Sequence, residues 1–311
     1  MAAGAVKHDY HLVNPSPWPL VGSAAAFIMM LGAVIWMRSD NGGLAIGGAT
    51  LSGPWVFLIG FAAILYTMFG WWKDIVGESL NGENTTPVVR IGFRYGMVLF
   101  IASEVMFFVA WFWAFFNASL FVGAGEAVTL VDGSQMLNSD GLPAFLGDDA
   151  RVHTTGGVWP PQGVEPLSPW HLPLINTLIL LLSGTTVTWA HHAVQTGDKE
   201  GLIQGLAITV GLGAFFSFLQ GVEYYEAIHL GLFSFSGDVY GATFFMATGF
   251  HGFHVLVGTI FLAVCLIRAA NDQFTPERHF GFEAAAWYWH FVDVVWLVLF
   301  ACIYVWGNQL A

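Results

Sequence analysis

The strongest constraint on this chain is a long apolar run that keeps a carboxyl near its middle. From Ile91 to Val122 the sequence is almost wholly apolar, and after Arg94 its one charged residue is Glu104. A helix rises about 1.5 Å per residue, so about 20 residues cross a bilayer. A carboxyl deep in such a span costs roughly 2.5–3.5 kcal/mol on insertion scales. A partner, a proton path or a cofactor must offset that cost. Phe100, Phe107, Phe108 and Trp111 make the surroundings apolar, and such surroundings disfavour the charged form of a carboxyl.

The run is not alone. Of the 311 residues, 56% are hydrophobic and 10% charged, against about 25% charged in a soluble domain. The pattern predicts an all-α polytopic membrane protein with seven spans, at Trp18–Met37, Trp55–Trp72, Ile91–Val122, Leu172–Ala193, Leu202–Ile228, Val239–Ile267 and Phe282–Trp306. Lys7, Lys73, Arg90, Arg94, Lys199, Arg268 and Arg278 then share one side, against Arg38 and Arg151 on the other. Basic residues gather on the inner side, which puts the N-terminus inside. The first residues lack the charge-then-apolar pattern of a cleaved leader, so none is expected.

The polar linker 73–90 divides the chain into residues 1–72, whose two spans carry almost no ionisable groups, and residues 91–311, with the other five. An acidic outer loop covers about 122–169; its end carries Trp159, Trp170 and four prolines. No internal repeat or matched pair of broken helices is evident, which argues against a secondary transporter. Nine Lys and Arg without a cluster, at net charge −12, argue against nucleic-acid binding. Cys265 and Cys302 stand on separate spans, which leaves no thiolate metal centre.

The last three spans hold the densest polar set. Glu223 and Glu226 are three apart, as are His251 and His254, and Glu283, Trp287, His290, Asp293 and Leu297 form one stripe. Residues three or four apart share a helix face, and ionisable groups at this depth face the bundle interior. The spans carrying Glu104, Glu223, His251, His254, Glu283, His290 and Asp293 should therefore meet along a polar seam. Gly249 and Gly252 allow another helix to come close. Three readings compete for the seam: haem or metal ligation, proton conduction, and a hydrogen-bonded network that fixes helix register. On the inner side, Trp71, Trp72, Lys73, Arg94, Arg268 and His279 suit lipid head groups or interface anchoring. His8 and His11 precede the first span; they are solvated surface or proton relays.

These residues also resemble a known family, subunit III of the aa3-type haem–copper cytochrome c oxidases. The matching stretches are HDYHLVNPSPWPL from His8, WWKDIVGES from Trp71, FRYGMVLFIASEVMFFVAWFWAFF from Phe93, WPPQGVEPLSP from Trp159, and Asn176 to His192, ending in TWAHH. They continue with GVEYYEA from Gly221, YGATFFMATGFHGFHV from Tyr240 and HFGFEAAAWYWHFVDVVW from His279. The resemblance implies seven helices split two plus five, with a cleft that holds phospholipids. It implies no catalytic residue, haem or metal in this chain, since haem a, haem a3, CuA and CuB belong to partner subunits I and II. It further implies a non-catalytic role: stabilising subunit I, holding lipid and supporting proton uptake, with His8 and His11 collecting protons. The position of Glu104 matches the carboxyl that carbodiimides label in the family. Lipid contacts carry over to Trp72, Glu78, Arg94, Arg268, Phe274 and His279. Gly77 and Thr85 depart from the basic residues that many relatives have, which removes two head-group contacts. The loop 123–157 exceeds that of short mitochondrial forms, which favours a bacterial inner membrane over a mitochondrial one and leaves room for an extra partner, a further subunit or supercomplex component, on the outer face.

Overall fold

The computed structural model describes residues 10, 15–39, 44–46, 49–82, 86–123, 126–127, 134, 145–146, 150–235 and 237–309. Seven described helices are long and apolar enough to cross a membrane. They are α1 (Trp18–Met37), α2 (Trp55–Asn81), α3 (Pro87–Leu120), α5 (Leu172–Thr196), α6 (Lys199–His229), α7 (Val239–Ala270) and α8 (Phe280–Leu299). The last continues as a π-helical stretch, Phe300–Trp306, while α4 (Ala150–Thr155) is a short helix. Two small antiparallel pairs complete the elements: β1 (Leu44–Ile46) with β2 (Ala49–Leu51), and β3 (Glu126–Ala127) with β4 (Phe145–Leu146).

The helices overrun several of the expected spans, and local chemistry explains where they stop. α2 continues past Trp72 to Asn81 and ends where Gly82 adopts φ 76°, a left-handed turn that glycine enters at little cost. α3 opens on Pro87, which suits a first turn because its missing N–H would have had no helical partner. The linker expected at 73–90 is therefore helical on both sides of residues 82–86. α5 ends at Gly197, and the next residue, Asp198, caps α6 by accepting from the Gly201 amide at 3.0 Å. Asp238 caps α7 in the same way.

The described residues form two compact units, Met1–Phe93 and Arg94–Ala311. In the first, α1 and α2 make a hairpin with glycine contacts. A Cβ placed on Gly32 would strike the backbone of Phe57, and one on Gly60 the backbone of Met29, so the two chains touch where side chains are absent. At the open end of this hairpin the Trp18 indole donates to Asp74 at 2.6 Å.

In the second unit, α5 to α8 pack around fully buried Trp289, Trp296, Phe216, Phe244, Tyr240 and Tyr304. Trp289 wedges between α6 and α7: a Cβ on Gly213 would lie 2.6 Å from its ring, and one on Gly258 2.9 Å. α3 joins through large rings, with Phe107 4.9 Å from Phe250 and Phe115 5.6 Å from Trp159. Trp159, from the proline-rich segment before α5, is 3% exposed and also meets Tyr240. Trp170 at the segment's end is exposed. Most of the acidic loop before it lies outside the described residues.

A buried polar network as the candidate functional site

Glu104 has a partner, and it comes from α7. Its Oε2 lies 2.9 Å from His254 Nε2. His254 Nδ1 faces the Phe250 carbonyl at 2.6 Å; a carbonyl only accepts, so Nδ1 carries a proton. Two forms satisfy the remaining contact. A neutral imidazole accepts from a carboxylic acid, or an imidazolium donates to a carboxylate. Each form leaves the pair with no net charge and one proton to share. The rings of Phe107, Phe108 and Tyr288 surround the imidazole.

The other ionisable groups of α6 to α8 lie in this unit in different surroundings. Glu223, 1% exposed, accepts from the Tyr304 hydroxyl at 2.5 Å and from Gln220 Nε2 at 3.4 Å. His251 is fully buried, donates from Nε2 to the Val292 carbonyl at 3.0 Å, and lies 4.9 Å from the Trp296 ring. Glu283 pairs with Arg94 at 3.2 Å. His290 Nε2 meets the Thr188 hydroxyl at 3.2 Å. Asp293 is 8% exposed, and its Oδ1 accepts no hydrogen bond. The stripes are narrower than the sequence suggests: Glu226 and Leu297 are exposed, while Ala247, His251, His254 and Gly258 are all buried.

The sequence reading missed α5. That helix runs antiparallel to α8 and supplies hydroxyls in a ladder. Trp296 donates to Thr177 and Trp289 to Ser183, each at 2.9 Å. Thr188 meets His290, and Gly184 leaves room for the Asp293 carboxyl. Further along, His191 lies 5.8 Å from both His279 and Phe282. The signal was the spacing of Thr177, Gly184, Thr188 and His191, which recurs on one helix face. Serine and threonine hide such a face because they also bond their own helix, as Ser183 does to Leu180.

The residues expected to contact head groups fall in both units. Trp72 and Glu78 lie on α2, with Trp72 largely exposed. In the second unit the Arg268 guanidinium stacks on Phe274 at 4.6 Å, and its Nε donates to Gln273 at 3.1 Å. His279 donates from Nδ1 to the Thr275 carbonyl at 3.0 Å. Arg94, though paired with Glu283, keeps an exposed side chain. His8, His11 and Thr85 lie outside the described residues. Among the described residues, no group of three or more His, Cys, Asp or Glu is arranged to hold a metal ion.

Fold and site together define a polytopic helical membrane protein whose buried ionisable groups bond mainly within the chain. The sequence profile of the cytochrome c oxidase subunit III family matches residues 8–130 and 144–308, and the chain belongs to that family. Proteins named cytochrome c oxidase subunit 3 are similar over nearly its whole length. The one from Marchantia polymorpha is 49% identical over 303 residues, covering 97% of this chain and 98% of the relative. Those from Arabidopsis thaliana and Osphranter robustus are 48% identical over 302 residues and 47% over 301, each with the same coverage.

Proposed function

We propose that this chain is the non-catalytic subunit III of a proton-pumping cytochrome c oxidase in an aerobic respiratory chain. It stabilises catalytic subunit I, assembles with subunits I and II, which carry haem a, haem a3, CuA and CuB, holds structural phospholipids, and supports proton uptake. The observation that carries this reading, beside family membership, is the Glu104–His254 bond. It ties the deepest carboxyl of α3 to α7 with no net charge, as a scaffold requires. His254 has both ring nitrogens engaged by the chain itself. An optical spectrum of the isolated chain tests the reading: no Soret band is expected, and a Soret band that stays with this chain alone would overturn it.

Glu104→Gln separates support from catalysis. An amide can still donate to His254 Nε2, so the bundle should assemble, and oxygen consumption should stay within about twofold of wild type, a change of less than ~0.5 kcal/mol in the barrier. Complete loss of turnover in a correctly assembled complex would contradict the role.

Lipid holding rests on Trp72 and Glu78 in one unit and on Arg94, Arg268, Phe274 and His279 in the other. Basic and aromatic groups at the membrane surface suit phosphate-bearing head groups. Arg268→Ala removes a guanidinium that Phe274 and Gln273 hold in place. Native mass spectrometry should then find less phospholipid on the purified complex, and an unchanged lipid content would count against the assignment.

The length of the outer loop, with residues 131–143 outside the family match, supports placement in a bacterial inner membrane, and the excess of Lys and Arg on one side of the spans supports an N-terminus on the inner side. The loop also leaves a surface for an additional partner on the outer face.

A further inference from the structure

We infer that the core of the Arg94–Ala311 unit contains a sealed binding site for ordered water, built by Asn176 on α5, Gln220 and Glu223 on α6, and His251 on α7. The site stands apart from the oxidase reading, which requires nothing of it. Among the described residues, nine buried side-chain nitrogen and oxygen atoms have no hydrogen-bond partner. Five of the nine belong to these four residues: both amide atoms of Asn176, Gln220 Oε1, Glu223 Oε2 and His251 Nδ1. None of the four residues is more than 5% exposed. A buried donor or acceptor left unmade is unfavourable, so this concentration points to a ligand enclosed by the chain itself.

Trp296 gathers the four into one layer. Its ring lies 4.9 Å from the His251 ring, 4.8 Å from Phe216 and 5.8 Å from Tyr304. Its indole donates to Thr177, the neighbour of Asn176. Gln220 stands about one turn beyond Phe216 on α6, and the Tyr304 hydroxyl donates to Glu223. The pairing of α5 with α6 agrees. Thr186 meets Thr209 at 2.7 Å, and Ala190 packs on Gly205. Continuing that antiparallel register brings Asn176 level with Leu219 and Gln220.

The free atoms select the ligand. His251 Nε2 donates to the Val292 carbonyl, so Nδ1 of the neutral ring can only accept. Gln220 Oε1, Glu223 Oε2 and Asn176 Oδ1 also accept, whereas Asn176 Nδ2 donates. Gln220 Nε2 gives one hydrogen to Glu223 Oε1 at 3.4 Å and keeps a second. The ligand must therefore offer several hydrogens and accept others. Water does both, and a buried water typically makes about three hydrogen bonds to groups of this kind. It is also small enough to be enclosed as the helices close. A metal ion offers no lone pair to the Asn176 amide, and among the described residues no group of three or more His, Cys, Asp or Glu is arranged to hold one.

Cryo-electron microscopy of the intact complex tests the inference, in a map that resolves ordered water elsewhere. We expect a peak about 2.7–3.2 Å from the Asn176 amide and from a polar atom of at least one of Gln220, Glu223 and His251. Asn176→Leu keeps the branched shape but removes the donor and one acceptor, and in that complex the peak should be lost while water elsewhere stays. A wild-type map without such a peak would overturn the inference. So would a peak at the roughly 2.0–2.6 Å of a metal ion, an Asn176 amide turned to bond Gln220 or Glu223 directly, or a peak that persists unchanged in the variant. If the leucine variant does not assemble, the wild-type map decides by itself.

Discussion

Trp289→Ala is expected to destabilise the Arg94–Ala311 unit by about 3–5 kcal/mol, the range for truncating a large buried aromatic side chain. The ring is 0% exposed, and its indole N–H donates to Ser183 on α5 at 2.9 Å. It also fills the space that Gly213 and Gly258 leave open on α6 and α7. One side chain thus joins α8 to three helices, and alanine would remove the wedge and leave the Ser183 hydroxyl without its donor. Denaturant titration of the purified complex should read the loss, and a change below about 1 kcal/mol would mean the wedge does not hold the bundle. Coupling gives a sharper check. Gly258→Leu collides with the ring in the wild type, so its penalty should shrink when Trp289 is already alanine, and strict additivity would contradict the packing.

The second large effect belongs to the hairpin of the first unit. Gly60→Leu forces an isobutyl group into the backbone of Met29. Backbone cannot rotate away as a side chain can, so α1 and α2 must separate. The penalty should reach or exceed the upper end of the ~1–3 kcal/mol typical of overpacking. Gly77→Leu, on the same helix but with nothing within 4 Å of its Cβ, is the matched control. Limited proteolysis of α2 in membranes should accelerate for Gly60→Leu and not for Gly77→Leu; equal rates would show that this contact does not close the hairpin.

The chain announces its helices more clearly than its contacts. The bounds of α1 coincide with the apolar run because Pro17 and Arg38 flank it. The ends of α2 and α3 do not, since hydropathy marks where lipid ends, whereas Gly82 and Pro87 mark where the helices end. The need for a partner to Glu104 was legible from its burial cost alone. The identity of that partner was not, because nothing local links Glu104 to His254 across so much sequence. The seam on α5 stayed hidden for another reason: Thr177, Ser183 and Thr188 look neutral in composition and become informative only once Trp296, Trp289 and His290 face them.

The Glu104–His254 bond has an electrical consequence. A proton passing between Oε2 and Nε2 travels no farther than their 2.9 Å separation, at most about a tenth of a hydrocarbon layer ~30 Å thick. A full crossing is worth about 2.3 kcal/mol per 100 mV, so this hop exchanges at most roughly 0.2 kcal/mol with the field. The pair is nearly voltage-blind: an energised membrane neither drives the exchange nor stalls it, and charge displacement measured during turnover should contain almost nothing from this bond.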